Sequence, residues 1–434
     1  MLHQMNELII YRVKEEDLLM QMAQALAMDG EAGQQRSLIY KTVKHLLDMA
    51  TQYGWNHNLW HCALCAHLLM DENSYTLSKE RRKEPLNGSI QTFLLHDMEL
   101  FYSLFHYDFE PISKRLNLNC FAILSNYQAI AKREEMMDET MGKMIMDTAV
   151  KLAQAPDAKA MMAILDAFYE TYGTGRFAFH KAFRIKETME GCHFVAIRNY
   201  PDISLEHLIG YEEQKQELMM NTEAFLQGKQ ANNVLLYGES GTGKSTSIKA
   251  LGNRYYKDGI RLIEIHKHQF HLLQDIIQQI KTRNYGFIIY MDDLSFEEDE
   301  TEYKYLKAVM EGGLEVRPNH MLIYATSNRR HLVRETWRDR NDFHEDQDLH
   351  ISETMAEKLS LAARFGISIY YGKPNAKEYQ HIVKELAKRE KLEGYDEATL
   401  WQLANAWELR HGGGSGRCAR QFIDYLRSQS GAKK

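Results

Sequence analysis

Eight residues near the middle of the chain have the types and spacing of a phosphate-binding loop. The pattern G-x-x-x-x-G-K-[ST] is matched at every fixed position by Gly238, Glu239, Ser240, Gly241, Thr242, Gly243, Lys244 and Ser245. An apolar run precedes this loop, and the residues from Thr246 onward read as the start of a helix. Backbone N–H groups and a helix N-terminus then converge on phosphate oxygens. We expect Lys244 to reach the β- and γ-phosphates of a nucleoside triphosphate and Ser245 to ligate Mg²⁺.

Two carboxylates follow a second apolar run. The run 287–291 is continued directly by Asp292 and Asp293. Parallel strands that are buried on both faces read as continuous apolar runs, and their ligands bind beyond the carboxyl ends. We therefore expect Asp292 to hold the Mg²⁺ shell and Asp293 to polarise the attacking water. The alternative is a strand that ends in a solvated turn.

Three polar residues later in the chain are further candidates for the nucleotide site. Asn328 ends a third apolar run, 321–327, where it could orient water or contact the γ-phosphate, or simply cap a loop. Arg364 precedes the run 367–371 and could stabilise transition-state charge in a neighbouring subunit, or form a surface ion pair. Arg417, at the start of the last helical segment, could close over the nucleotide.

The apolar residues predict which elements position these side chains. Over the first 185 residues they recur at helical spacing, and helices are expected at 17–26, 38–49, 59–70, 90–104, 144–152 and 161–172. We predict an α-helical domain over 1–185, an α/β core over 200–373 and a helical lid over 374–434. In the core, 270–281 is expected to be one amphipathic helix.

Composition limits the remaining possibilities. The chain has 434 residues and a net charge of −7, which excludes a polycation that binds nucleic acid non-specifically. The N-terminus lacks the pattern of a signal peptide, and apolar runs stay short of membrane-spanning length. The five cysteines favour a reducing compartment. We expect a cytoplasmic protein without a membrane partner.

Two clusters have metal-ligating residue types. Cys62 and Cys65 share a helix face between two histidines, but a tetrahedral zinc site needs four converging ligands, so we predict that both thiols pack in the core. His266, His268 and His271 lie at a predicted strand-to-helix junction without a carboxylate or thiol at ligand spacing, and a solvated loop is expected.

The ordered set of motifs resembles AAA+ ATPases across about residues 200 to 430. The resemblance implies a P-loop AAA+ αβα sandwich with a parallel sheet and a small C-terminal helical lid, preceded by the all-α domain. It implies ATP and Mg²⁺ as ligands and a homo-oligomer. It gives the following roles: the adenine box to Leu208, Ile209 and Gly210, Walker A to 238–245, Walker B to 291–293, the first sensor to Asn328, the arginine finger to Arg364, and the second sensor to Arg417 or Arg420.

A narrower resemblance rests on the segments 357–366 and 415–422. These are similar to a bacterial family of AAA+ proteins of unknown function, usually called only ATP-binding proteins. Asp293 departs from the Glu that many AAA+ proteins carry, although the replication-initiator branch also uses Asp-Asp. Ala362 and Ala363 stand where the narrower family often has polar residues. The segment 266–282 contains no glycine, unlike the pore loop of protein-threading AAA+ rings.

These observations are consistent with three functions, which we rank as follows. The first is ATP hydrolysis coupled to remodelling or loading of an unidentified protein partner held by the N-terminal helices. The alternative is a nucleotide-dependent switch on nucleic acid with slow turnover, motivated by Asp292, Asp293 and the basic stretch 329–340. A small-molecule kinase ranks last, because it does not account for Asn328, Arg364 and the lid together.

Overall fold

The structure, a computed structural model, describes residues 1–28, 32–84, 88–130, 138–189, 191–296, 300–311, 318–328, 361–392 and 394–431. The chain divides into two compact units, Met1–His180 and Lys181–Lys434. Within the ranges above, no helix combines the length and the apolar character needed to cross a membrane.

The first unit is helical. Its described helices are α1 (Leu2–Glu7), α2 (Leu18–Ala27), α3 (Ala32–Tyr53), α4 (Leu59–Met70), α5 (Ser74–Lys79), α6 (Ile90–Phe105), α7 (Glu110–Leu116), α8 (Cys120–Leu124), α9 (Glu139–Ala153), α10 (Ala158–Tyr172) and α11 (Arg176–Phe179). Side chains cap several of them, because the first amides of a helix have no partner within it. Asn58 accepts the His61 amide at the start of α4, and Asp157 accepts the Ala160 amide at the start of α10.

Helix α4 forms the centre of this unit. Its apolar residues are buried around most of the helix, and they include Cys62 and Cys65. Burial raises the pKa of the Cys62 thiol to about 12 and that of Cys65 well above its usual value. The neighbouring His61 donates from Nε2 to the Phe105 carbonyl oxygen at 2.8 Å. Among the residues described, no three potential ligands group to hold a metal, and the two thiols pack in the core as predicted.

Two buried charged residues of the first unit have well-defined partners. Asp97 is fully buried and accepts the backbone N–H groups of Ile9, Ile10 and Tyr11 at 2.9, 2.7 and 3.0 Å. Lys79 is almost fully buried, and its Nζ lies 2.6 Å from the Glu170 carboxylate. These bonds satisfy groups that would be costly to bury alone.

The second unit alternates strands and helices. Its described elements are β1 (Ala182–Thr188), β2 (Gly191–Ala196), α12 (Glu212–Leu226), β3 (Val234–Gly238), α13 (Lys244–Arg254), β4 (Ile260–Glu264), α14 (Leu273–Ile280), β5 (Gly286–Met291), α15 (Tyr303–Glu311), β6 (Met321–Ser327), β7 (Ile367–Tyr371), α16 (Ala376–Arg389), α17 (Glu397–Arg410) and α18 (Gly416–Gly431).

The strands form one seven-stranded sheet in the order β2-β1-β4-β5-β6-β3-β7. Every pairing is parallel except the β1–β2 hairpin. Strand β3, which leads into the glycine-rich loop, lies between β6 and β7, and β5 is the next strand beyond β6. The carboxyl ends of β3, β5 and β6 therefore meet at one edge of the sheet. The predicted α/β P-loop fold with a parallel sheet is confirmed.

Apolar side chains fix the helices on this framework. Ile248 and Leu251 of α13 pack in one core cluster with Leu236 of β3 and Ile288 of β5. Helices α16, α17 and α18 bury a separate cluster with one another, and Ile209 belongs to it. The lid predicted from the sequence thus has its own apolar core within the second unit.

Two predictions about elements need correction. The sheet begins with β1, before the predicted core start at residue 200, and the predicted end of the helical domain at residue 185 falls inside this strand. Buried and charged residues alternate in β1 only from Phe183 to Lys186, which is too short a stretch to separate the strand from the helical pattern before it. The helix expected over 270–281 is a 3₁₀ turn, Lys267–Leu272, followed by α14. The domain limits as a whole stay a prediction.

The histidines of this 3₁₀ turn have local roles. The His266 ring stacks on His268 with ring centroids 5.8 Å apart, and His271 Nε2 lies 3.4 Å from a Glu187 carboxylate oxygen. The residues that the structure covers bring no metal-binding group of three ligands to this turn.

Candidate nucleotide site

Glycine is required where the loop leaves β3 and where it enters α13. Gly238 has φ +131°, and a Cβ there would stand 2.3 Å from the Tyr371 carbonyl oxygen of the neighbouring strand. Gly243 has φ +99° as the N-cap of α13, and a Cβ there would meet the Leu208 side chain. Because both positions need a left-handed backbone and close packing, the loop turns sharply and directs its amides past the end of the sheet.

Lys244 is held inside this turn. Its Nζ donates to the carbonyl oxygens of Gly238 at 2.9 Å and Glu239 at 2.7 Å, and to Oδ1 of Asn328 at 3.0 Å. The residue is 6% exposed. Burial lowers the pKa of Lys244, and the nearby carboxylates of Asp293 and Glu239 act in the opposite direction. All three hydrogen-bond acceptors are uncharged, so no carboxylate is bonded directly to this ammonium group.

Asp292 collects hydroxyl donors from two elements. Ser245 at the start of α13 and Thr326 of β6 each donate from the side chain to Asp292 Oδ1 at 2.6 Å. Burial raises the pKa of the Asp292 carboxyl, but the hydrogen bonds from the Ser245 and Thr326 hydroxyls act in the opposite direction, and the pKa lies below its usual value. The carboxylate is therefore ionised at neutral pH.

Asp293 has an unusual backbone conformation. Its φ is +52°, in the left-handed region that Asp and Asn adopt more readily than most residues. Its amide donates to Thr326 Oγ1 at 2.9 Å, and its Oδ1 accepts from Asn328 Nδ2 at 2.8 Å. Strand ends β5 and β6 are thus cross-linked by side chains, and Thr326 contacts both aspartates.

These groups line a cleft of about 1100 Å³. Its lining includes the residues 240–246, Asp292, Asp293, Thr326 and Asn328. An apolar part is formed by Ile203, Leu208, Ile209, Ile382 and Leu386. A polar rim is formed by Asp202, His207, Arg389, Glu390, Arg417 and Arg420. The cleft thus combines a charged end, where the loop lies, with an apolar slot between the 203–209 segment and α16.

The cleft brings together most of the residues predicted from the sequence. Four of them do not line it: Gly210, Gly238, Glu239 and Arg364. Gly238 and Glu239 still belong to the site, since their carbonyl oxygens hold Lys244. Arg364 instead forms an ion pair with Glu311 of α15. Of the two alternatives given for Arg364, a single chain contains the ion pair.

The two lid arginines differ in their contacts. Arg420 donates to one oxygen of Glu390 at 2.6 Å, and Arg427 donates to the other oxygen at the same distance. Arg417 uses its backbone N–H to bond the Gly241 carbonyl oxygen at 3.1 Å. Among the described residues, the Arg417 side chain has no hydrogen bond or ion pair. Of the two candidates for the second sensor, Arg417 is therefore the one that is not already engaged by a carboxylate.

The oxygen atoms at the strand ends fit a magnesium ion. Mg²⁺ prefers carboxylate and hydroxyl oxygens and water, and it keeps several of its waters. The Ser245 hydroxyl and the Asp292 carboxylate supply two such oxygens side by side. The buried Tyr290 hydroxyl near them has no hydrogen-bond partner within the described part of the chain. If Mg²⁺ and its waters bind here, the Tyr290 hydroxyl can donate a hydrogen bond to one of the oxygen atoms around the ion.

Several residues of the cleft were not predicted from the sequence. Thr326 lies within the apolar run 321–327, two residues before Asn328, so that the two side chains point to the same face. Asp202, His207 and the α16 residues reach the cleft through tertiary folding, which no local pattern records. The basic stretch 329–340 and the first part of the 357–366 segment lie outside the described residues.

The fold and this loop define an α/β protein of the P-loop class. The family described as "Protein of unknown function (DUF815)" matches residues 178–430, which is more than half of the chain, and the chain belongs to that family. The resemblance to an uncharacterised family is thereby confirmed. A comparison with curated proteins finds no match.

Solved structures with a similar chain include several of RuvB from Thermotoga maritima. One of them, a single-residue variant, is 18% identical over 53% of this chain and 65% of its own, with a TM-score of 0.37. The structure titled as the RuvB Holliday junction branch migration motor is 19% identical over 54% of this chain and 66% of its own, also at 0.37. The chain spans about two thirds of the length of these RuvB chains.

Proposed function

We propose that this chain is an AAA+ ATPase that binds ATP with Mg²⁺ in the cleft and hydrolyses it. One observation carries the proposal. Side-chain hydrogen bonds join Lys244 to Asn328, Asn328 to Asp293, and Ser245 to Asp292 across the carboxyl ends of three neighbouring strands. A cation, two carboxylates and an amide at one edge are what triphosphate hydrolysis requires.

The cleft would orient the nucleotide by its two unlike ends. The apolar slot, which includes Leu208 and Ile382, suits a base, and the loop amides suit phosphates. Lys244 would exchange its carbonyl and amide partners for phosphate oxygens. That exchange is favourable because a charge-assisted bond to phosphate is stronger than a bond to a neutral carbonyl.

Ser245 and Asp292 would hold the metal. When bound, Mg²⁺ neutralises charge that develops on the phosphates. Asp292 is ready for this role because its lowered pKa keeps it ionised. Thr326 fixes the carboxylate from the side of β6 and leaves Ser245 free to turn towards a ligand.

Asp293 and Asn328 would act on the attacking water. A carboxylate at this place can accept the proton of the water as a general base. The Asn328 amide holds one oxygen of Asp293 at 2.8 Å, which leaves the second oxygen for the water. Asn328 also accepts a hydrogen bond from Lys244. If Lys244 moves to a phosphate, Asn328 would lose this bond, and the Asp293 carboxylate that it holds could shift as well.

Arg364 would act in a neighbouring subunit of a homo-oligomer. Its ion pair with Glu311 would have to open, so subunit assembly would exchange a carboxylate for a phosphate. Arg417 would contact the phosphates within its own chain. Both roles follow from positive charge placed near a γ-phosphate, which stabilises the transition state.

The work coupled to hydrolysis would be remodelling or loading of a protein partner held by the first unit. A cavity of about 370 Å³ in that unit supports docking. Its walls include Trp60, Phe109 and Phe121, and its edge includes Asp108. Aromatic surfaces with a polar rim are common where partners bind.

A nucleotide-dependent switch on nucleic acid is the second candidate. The short Asp293 side chain, in place of Glu, favours slow turnover, and the basic stretch 329–340 supplies positive charge in the sequence. DNA binding that weakens steeply with salt and differs between ATP and ADP would favour this candidate. Absence of binding at low salt would remove it.

Phosphate release by the purified chain, with Mg²⁺ and with EDTA, tests the leading proposal. We expect metal-dependent ATP turnover. Mixing wild type with increasing amounts of Arg364→Ala chain should lower activity more than dilution does, if the arginine acts in trans. Arg410→Ala, which removes an exposed lid arginine, is the matched mixing partner and should only dilute. Failure of the wild type to bind or turn over ATP would reject the proposal.

A further inference from the structure

Tyr290 places a hydroxyl group under the phosphate-binding loop. It lies in β5 two residues before Asp292, so the two side chains point to the same face of the sheet. The residue is 2% exposed, and its ring packs with Ile248 and Leu251 of α13. Its hydroxyl has no hydrogen-bond partner among the residues described. A buried hydroxyl without a partner is costly, and phenylalanine would fill the same space without that cost.

Two polar groups lie close to this hydroxyl. The Asp292 carboxylate and the Ser245 hydroxyl lie beside it without forming a well-aligned hydrogen bond. Asp292 Oδ1 already accepts two short bonds, from Ser245 and Thr326. A carboxylate only accepts hydrogen bonds, so the Tyr290 O–H group is the donor in any bond that the two side chains form.

We propose that Tyr290 is a positioning residue of the metal site. When the Ser245 hydroxyl turns to Mg²⁺, it leaves Asp292, and the Tyr290 hydroxyl donates to the carboxylate in its place. Asp292 then keeps two donors, Tyr290 and Thr326, and retains both its charge and its orientation. The inference rests on the proposed function, because it requires that Ser245 and Asp292 bind the metal of a nucleotide complex.

The substitution Tyr290→Phe tests this role with a single atom removed. The matched control is Tyr324→Phe, which removes a buried hydroxyl of the adjacent strand that bonds Thr222 and Asn221. For each protein, binding of a fluorescent ATP analogue is measured in EDTA, then Mg²⁺ is titrated into the nucleotide complex. Thermal unfolding is followed without nucleotide.

Tyr290→Phe should leave nucleotide affinity in EDTA unchanged and weaken the apparent Mg²⁺ affinity of the complex by about tenfold. Without nucleotide its Tm should equal or exceed that of the wild type, because no bond is lost. Tyr324→Phe should show the reverse, a lower Tm with an unchanged Mg²⁺ titration.

Two results would overturn the role of Tyr290. One is a Mg²⁺ titration of Tyr290→Phe that coincides with the wild type. The other is a lower Tm of this variant without nucleotide, which would mean that the hydroxyl is bonded in the empty site. A wild type that binds no nucleotide in EDTA or Mg²⁺ would instead reject the proposed ATP site itself, and the two failures are thus distinct.

Discussion

A buried lysine of the first unit and one of the second have different partners. Lys79 in the first unit is 4% exposed and forms an ion pair with Glu170 at 2.6 Å. Lys244 in the second unit is 6% exposed and bonds only neutral oxygens among the described residues. The ammonium group of Lys79 is paired directly with a carboxylate, whereas that of Lys244 is hydrogen-bonded to carbonyl and amide oxygens.

The acidic residues repeat this difference. Asp97 is fully enclosed and spends both carboxylate oxygens on three backbone amides. Asp292 and Asp293 stand at strand ends on the wall of a cleft. A buried charge whose bonds all lie within the fold stabilises that fold. A charge that is held in place by neutral donors and faces a cleft is available for chemistry.

Lys244→Ala is expected to have the largest effect on function. Nucleotide binding should become unmeasurable, because the loop loses the cation that it holds for the phosphates. Binding of a fluorescent ATP analogue measures this, with Lys229→Ala, an exposed lysine after α12, as the control. Binding that survives in Lys244→Ala would contradict the comparison between the two lysines.

Asp293→Asn should separate binding from hydrolysis. Asparagine tolerates the left-handed backbone at φ +52° and keeps an oxygen for the Asn328 amide, but it cannot accept a proton from water. We expect turnover to fall by about a hundredfold or more, with nucleotide affinity retained. Asp258→Asn, at an exposed position before β4, should match the wild type in phosphate release. Equal turnover in both variants would remove Asp293 from the mechanism.

Lys79→Met should act on stability alone. It removes the ammonium group from the partly exposed carboxylates of Glu170 and Asp166, and a cost of about 1 to 2 kcal/mol is expected, between the values for exposed and buried pairs. Urea unfolding followed by circular dichroism measures the loss, and nucleotide affinity under native conditions should not change. Weaker nucleotide binding in the folded variant would show that the first unit influences the cleft.

His61 should give the smallest effect, visible only in acid. Its pKa lies below the usual value, mainly because of burial, so the unfolded chain takes up a proton more readily than the folded one. The stabilising contribution is complete above about pH 6.5 and is lost as the pH falls through the folded pKa.

The expected result for His61 is a loss of stability of the first unit in acid, from this one partly buried imidazole. His61→Gln retains a donor for the Phe105 carbonyl and should flatten the dependence of unfolding on pH between neutral and mildly acidic solutions. His45→Gln, at an exposed position of α3, should leave it unaltered. A profile that His61→Gln does not change would assign the acid sensitivity to another group.

The sequence predicts the strands that carry the site because each of them is a single uninterrupted apolar run. Strands β3, β5 and β6 are buried on both faces, so each one is a continuous apolar run that ends where its polar residue begins. The hairpin of β1 and β2 lies towards the sheet edge, where burial alternates and charged residues intervene. A pattern of that kind is too short and too mixed to stand out.

The residues of the site also fall into a predictable group and a group that only the fold reveals. Lys244, Ser245 and Asp292 follow from motif spacing, which fixes them relative to a local turn. The role of Thr326 follows only from strand pairing, since the Asp292 carboxylate that it contacts lies at the end of another strand. The partner of Arg364 could not be predicted, because Glu311 is far from it in sequence and belongs to a separate helix.

The backbone bond from Arg417 to Gly241 links the lid to the loop. If nucleotide binding favours the conformation of the loop that accepts this bond, lid docking and nucleotide affinity are coupled. Thermodynamic reciprocity then requires that each raises the other by the same factor. Nucleotide should therefore slow amide exchange at the start of α18. Expressed as a free energy of lid detachment, this slowing should equal the nucleotide-binding free energy that is lost when the lid detaches.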